Sequence, residues 1–227
     1  MNMAQDNKVL TVASFEKLRK IAPNFLANQS AIRQGLSAVR PVPEEIAFKL
    51  TNRCDLRCQH CYQWNETGYH RQLATGTKSQ DLDLAVIAKV LAATKDCQSN
   101  VYLWGGEPLF YRDWQGLIDL LASDRRWTTI CTNGSLIAKR LDSLLRLSEQ
   151  LEISISLDGF EQQHDNIRGQ GSFKKTLEGL RLLLEQKQAG HYQGEITVNF
   201  LVTDAMVKNI LPFVTWLSLI HISEPTR

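Results

Sequence analysis

Leu151-Glu-Ile-Ser-Ile-Ser-Leu-Asp158 is the stretch that decides how this 227-residue chain folds. In an extended strand successive side chains point to opposite faces. Leu151, Ile153, Ile155 and Leu157 therefore share one face, and Glu152, Ser154, Ser156 and Asp158 share the other. A parallel strand covered by helices on both sides is apolar on both faces. This one is apolar on one face only, so it packs on helices with that face and lines a polar cavity with the other.

The same logic extends in both directions. Trp127–Thr132 is aromatic and β-branched and stops at Asn133-Gly134, and Val101–Trp104 stops at Gly105-Gly106. Ile46–Thr51 alternates with period two. Downstream, Ile196, Val198, Phe200 and Val202 form an apolar row opposed by Thr197 and Asn199. Between the strands, apolar residues recur at helical spacing over 79–95, from Trp114 to Leu121, around Leu141–Leu145, and from Phe173 to Leu184. Ser79, Ser135 and Ser172 stand where N-caps are expected. A last apolar segment runs from Met206 to Trp216. Strand–helix units in series predict a parallel α/β sheet with right-handed crossovers. One-sided strands favour a barrel whose interior holds a ligand, with chemistry at the C-terminal strand ends. A half-exposed antiparallel sheet is the alternative, and the regular helical spacers count against it.

Composition narrows the functional classes. Lys and Arg number 26 against 24 Asp and Glu, giving a net charge of +2. Near balance gives no reason to expect nucleic acid or an anionic membrane as partner. No run approaches the ~18–20 apolar residues of a membrane span. The first residues, Met-Asn-Met-Ala-Gln-Asp-Asn-Lys, lack the apolar core of a signal peptide, so a cytoplasmic setting is expected. Residues 1–43, with Phe15, Leu18, Ile21 and Ala22 as a short amphipathic patch, read as a lead-in to a domain spanning 44–216. An odd count of five cysteines argues against a disulfide framework. Cys97 and Cys131 stand alone and are expected to be small buried residues.

The other three cysteines carry the chemistry. Thr51-Asn-Arg-Cys54-Asp-Leu-Arg-Cys58-Gln-His-Cys61-Tyr62 follows the first strand with the spacing CxxxCxxC. Three thiolates on a tight loop can hold three corners of a cubic iron–sulfur cluster. No further cysteine is near in sequence, which leaves the fourth iron open to a small molecule. The alternative is a zinc site completed by His60, although His60 lies between Cys58 and Cys61 and is poorly placed to reach the same ion.

With its neighbours, this motif resembles the radical S-adenosylmethionine (SAM) superfamily over residues 45–216. Trp104-Gly105-Gly106-Glu107-Pro108 resembles the family's GGEP strand end. Thr132-Asn133-Gly134, Ser156-Leu157-Asp158-Gly159, His164-Asp165 and Arg168-Gly169 follow in the family's order. The resemblance implies a partial (β/α)6 TIM-like barrel, of which this chain supplies about five units. It implies that Cys54, Cys58 and Cys61 hold a [4Fe-4S] cluster whose open iron takes the amino and carboxylate groups of SAM. Gly105 and Gly106 would let backbone carbonyls approach that amino group, and Pro108 would hold the turn. Glu107 would accept a hydrogen bond there or fix the turn. Ser156 and Asn199 would serve the ribose or carboxylate. Arg168 would pair with the carboxylate or lie on the surface. His60 or Tyr62 would stack near adenine. The implied chemistry is reductive cleavage of SAM to a 5′-deoxyadenosyl radical that takes hydrogen from a substrate. The electron would come from an external donor such as flavodoxin or ferredoxin.

Three functions follow in order of preference. The first is modification of a peptide or protein side chain, as in enzymes of the SPASM or twitch type. The second is biosynthesis of a small molecule or cofactor. The third is a non-enzymatic iron–sulfur or zinc module. Leu217-Ser-Leu-Ile-His-Ile-Ser-Glu-Pro-Thr-Arg227 breaks the pattern and matches the translation of a transposase-type sequencing adapter. The natural frame is therefore expected to continue beyond about Trp216, and long-read sequencing of the locus checks this.

Overall fold

A computed structural model describes residues 43–204 and 206–222. The lead-in expected over 1–43, apart from Pro43, lies outside the described residues, as does the end of the tail.

Five strands form one sheet: β1 Glu45–Lys49, β2 Asn100–Trp104, β3 Thr128–Thr132, β4 Leu151–Ser156 and β5 Glu195–Asn199. Every neighbouring pair is parallel, and the spatial order is the chain order. A doubly wound sheet reverses direction at a switch point. This one does not, so right-handed crossovers place the helices on a single face and curl the sheet into a partial barrel. Besides a single turn at Thr75–Lys78 and short 3-10 segments, the helices are α1 Leu84–Ala93, α2 Trp114–Asp124, α3 Ile137–Leu145, α4 Glu161–Arg168, α5 Ser172–Gln188 and α6 Ile210–Ile222.

The core lies between the sheet and this helical layer. Val101, Leu103, Ile130, Leu151, Ile153 and Ile155 pack against Ile87, Leu91, Leu117, Ile118, Leu121, Leu144, Leu180 and Leu183. Burial of each such side chain is worth ~1.5–3 kcal/mol. The opposite face is polar, as the alternation demanded. There Thr197 Oγ1 donates to Glu152 Oε1 (3.0 Å), and Asn199 Nδ2 donates to Ser154 Oγ (2.5 Å).

The three expected serine caps are corrected. Helix α1 starts at Leu84, not Ser79, and its cap is Asp83, whose carboxylate accepts from Ala85 N–H (2.8 Å). Residues 79–82 are drawn away because Asp81 bridges to Thr51 and Leu82 N–H reaches Leu50 O (2.8 Å). Ser135 does not cap α3; its hydroxyl donates to Asp55 Oδ2 (2.7 Å). Ser172 lies inside α5, whose N-terminus is satisfied by Asp165 of α4. That carboxylate accepts from Gly171 N–H (2.7 Å), Phe173 N–H (2.8 Å) and Ser172 Oγ–H (3.2 Å). Helix α4 carries few apolar residues, so helical periodicity does not reveal it. Helix α6 runs across the Trp216–Leu217 boundary, and Leu217 packs at the edge of the core.

Candidate active site

The cysteine loop hangs from the C-terminal end of β1 and is fastened to the end of β2 backbone to backbone. Leu50 N–H reaches Trp104 O (2.8 Å), Gly106 N–H reaches Thr51 O (2.7 Å), and Glu107 N–H reaches Arg53 O (2.7 Å). The two glycines are required by this approach. A Cβ on Gly105 would lie 2.6 Å from Thr51 O, and one on Gly106 would lie 2.2 Å from Arg53 O. Loop packing is thus a reason for both glycines that the sequence did not reveal.

Side chains hold the loop from every side. Thr51 Oγ1 donates to Asp81 Oδ1 (2.6 Å), and Arg53 Nη2 pairs with Asp81 Oδ2 (2.9 Å). Burial pushes the Asp81 carboxyl up, but hydrogen bonds from Thr51, Arg53 and Arg112 N–H outweigh it and hold it below its usual range. Asn133 Nδ2 donates to Asp55 Oδ1 (2.8 Å), tying the loop to the end of β3. Gln59 N–H reaches Ile167 O of α4 (2.8 Å), and Trp64 Nε1 donates to Asn52 O (2.9 Å).

Cys54, Cys58 and Cys61 line one cavity of about 270 Å³ at the C-terminal strand ends. His60, Tyr62, Gly105, Gly106, Glu107, Ser156 and Arg168 line it too, as do Gln63, Tyr102, Trp104, Cys131, Thr132 and Asn133. Of the residues expected in the site, Pro108 and Asn199 stand apart. Pro108 is buried in the short turn Pro108–Phe110, and Asn199 is exposed at the end of β5. Cys131 is corrected from a buried apolar residue to a half-buried thiol in the cavity wall, which Tyr102 also lines. The side chain of Cys97 lies outside the described residues.

Glu107 is fully buried and pinned at three points. Its carboxylate accepts from Leu109 N–H (3.0 Å), Thr132 Oγ1 (2.7 Å) and Asn133 N–H (2.8 Å). Burial raises its pKa to about 7 despite these donors. It locks the ends of β2 and β3 together. Arg168 is not a surface cation. It pairs with the buried Asp158 (2.6 Å) and brings Nη1 to 4.0 Å from Cys58 Sγ. Asp158 in turn accepts Leu201 N–H (2.8 Å), and its own N–H donates to His164 Nδ1 (3.1 Å). Asp55, Gln63 and Asp81 escaped the sequence reading, because each acts through a partner distant in the chain, and Asn133 and Asp158 were read as motif residues without a role.

The donor set fits an iron–sulfur guest. Burial pushes the Cys54 thiol up to about 12 and raises Cys58 as well, with Arg168 pulling Cys58 the other way. Cys54 and Cys58 are therefore protonated in the metal-free chain and release protons on binding iron. Among the described residues no three His, Cys, Asp or Glu side chains meet closely enough for a single ion. A cubic cluster instead takes each thiolate on a separate iron. Gln63 Nε2 donates to Gly105 O (3.0 Å), while its Oε1 is buried without a partner beside the same cavity. That acceptor suits a cationic amino group.

Comparison with known proteins agrees with this geometry. The subtilosin biosynthesis protein AlbA of Bacillus subtilis is 28% identical over 174 residues, covering 70% of this chain and 37% of AlbA. The Fe-coproporphyrin III synthase of Methanosarcina barkeri is 30% identical over 145 residues, covering 62% of this chain and 34% of that enzyme. The chain thus spans little more than a third of the length of these relatives. Streptococcus suis SuiB bound to its precursor peptide SuiA has the same fold. Its TM-score is 0.63 at 19% identity, over 97% of this chain and 45% of SuiB. The radical SAM superfamily profile matches residues 48–213. With the cysteine loop, the glycine strand end and the parallel partial barrel in place, the chain belongs to the radical SAM superfamily.

Proposed function

We propose that the parent protein reductively cleaves SAM at a [4Fe-4S] cluster and uses the radical on a peptide or protein side chain. The observation that carries this is the convergence of Cys54, Cys58 and Cys61 with Gly105, Gly106 and Arg168 on one cavity. When bound, the cluster supplies the single electron that breaks the bond from sulfur to the 5′ carbon of SAM. The chain's own residues position the reactants. Cys54, Cys58 and Cys61 hold iron, and Arg168, aligned by Asp158, offers its charge to a carboxylate. Ser156 would serve the ribose, and His60 or Tyr62 would offer a ring for adenine, all three lining the same cavity. AlbA, named for bacteriocin biosynthesis, and SuiB bound to a precursor peptide support a peptide substrate. The Fe-coproporphyrin III synthase similarity favours a second reading, a tetrapyrrole or similar small molecule. Unpaired cysteines and reduced iron suit the cytoplasm. Among the described residues no helix is long and apolar enough to cross a membrane.

The test uses full-length protein reconstituted with iron and sulfide under anaerobic conditions. Dithionite and SAM should give 5′-deoxyadenosine, and Cys58→Ala should lose both the product and the intact cluster. Full product from Cys58→Ala rejects the site. Incubation with candidate precursor peptides or with tetrapyrroles then separates the two substrate readings.

A further inference from the structure

The cavity has a second side. Cys54 lines it from within, and also borders an outer hollow of about 450 Å³ formed with Arg53, Arg57, Trp64, Lys78 and Phe110. A neighbouring hollow of about 540 Å³ shares Arg57 and Trp64 and adds Arg71 and Glu66. We propose that this outer face is where an acidic one-electron carrier protein docks to deliver its electron through the Cys54 side of the site. The inference rests on the radical SAM reading above and adds where the donor binds.

Charge and location select the partner. Among the described residues Arg57, Arg71 and Lys78 form no ion pair, whereas Arg53 is neutralised by Asp81. Glu66 is the one carboxylate lining either hollow. The cationic field is felt nearby: after burial and Lys49, Arg57 and Lys78 also hold the His70 imidazole in its neutral form. The Arg57 guanidinium lies 4.2 Å over the Trp64 ring and donates to Cys54 O (2.7 Å), so the patch touches the backbone of the first cysteine. The whole chain carries only +2, so this is a local patch and not a general affinity for polyanions. Its cations are spread over two adjoining hollows and do not converge on one point, which suits a broad acidic protein face better than a small anion. Redox encounters of this kind bury little area and rely on electrostatic steering. One electron leaves the carrier and enters the site, and no bond forms or breaks between the proteins.

The experiment uses reconstituted full-length protein, with a reduced flavodoxin, an acidic flavin protein, as probe. Binding is measured at low and high salt, and flavodoxin oxidation is followed with SAM present. In the Arg71→Glu/Lys78→Glu double variant, binding and flavodoxin oxidation should fall about tenfold or more. Its iron content and dithionite-driven 5′-deoxyadenosine yield should stay within about twofold of wild type. Arg71→Gln/Lys78→Gln should give an intermediate loss. Wild-type binding should weaken as salt rises. The inference is overturned if the reversed variant binds and oxidises flavodoxin like wild type, or if wild type shows no salt-sensitive binding. Equal loss of the dithionite-driven yield also overturns it, because the charges would then serve the site itself. Failure of the radical SAM reading shows differently, as wild-type protein that makes no 5′-deoxyadenosine with dithionite.

Discussion

Cys131 shares the cavity with the three loop cysteines but sits on a strand, beside the Tyr102 phenol, and not on the loop that carries the others. Its removal should therefore leave the metal site intact. Cys131→Ala is expected to keep wild-type iron and sulfide content after reconstitution, measured by metal analysis and visible absorption, where Cys58→Ala loses both. Loss of iron in Cys131→Ala would make it a ligand. The three loop cysteines were legible because their chemistry is written in local spacing. Cys131, Asp55 and Asp158 were not. Asp55 acts through Asn133 and Ser135, and Asp158 accepts Leu201 N–H while aligning an Arg168 that reaches Cys58, so their roles exist only once the strands have brought distant segments together.

At the scale of elements, alternation placed β1, β4 and β5, and β-branched or apolar runs ending at glycine placed β2 and β3, but the apolar row expected to Val202 overran β5, which ends at Asn199 and leaves Val202 exposed. Helix starts were less legible. A serine next to an apolar run is a plausible cap, but in two of three cases an aspartate already present nearby does the capping. Asp165 shows the cost of that arrangement. Burial pushes its carboxyl up, yet donors from Phe173, Gly171 and Ser172 outweigh this and hold it below its usual range. Asp165→Ala should lower stability by about 2 kcal/mol, near the top of the range for a cap. Ser172→Ala should cost less, because it leaves both backbone donors satisfied. Urea denaturation of the two variants checks the order, and equal losses would reject Asp165 as the cap.

Taken as a molecule, the chain should resist acid poorly. His70 and His164 are fully buried, and burial lowers each to about 4, with Lys49 and Arg168 respectively adding to the effect. The fold favours the neutral form of both. Their contribution is complete above about pH 6.5 and is lost as pH falls through about 4, on the order of 3 kcal/mol each. Glu107 works in the opposite sense. Its raised pKa stabilises the fold below about pH 4.5, and that contribution is lost as pH rises through about 7. His60, lowered by burial, and Glu45, raised by burial, add one shift of each sign, so histidines still outnumber glutamates and stability rises with pH between about 4.5 and 6.5. The urea midpoint should therefore be lower at pH 5 than at pH 7.5, and His164→Gln should flatten the difference. An unchanged slope in that variant would remove His164 from the account. The stitching of Thr51–Arg53 to Gly106–Glu107 also governs how sequences of this design can diverge. An insertion or deletion in one segment would slide the first sulfur past the strand end unless the other segment changed by the same step. Length variation is thereby pushed into outlying turns, and the gap between sulfur and bound guest is inherited as a fixed dimension.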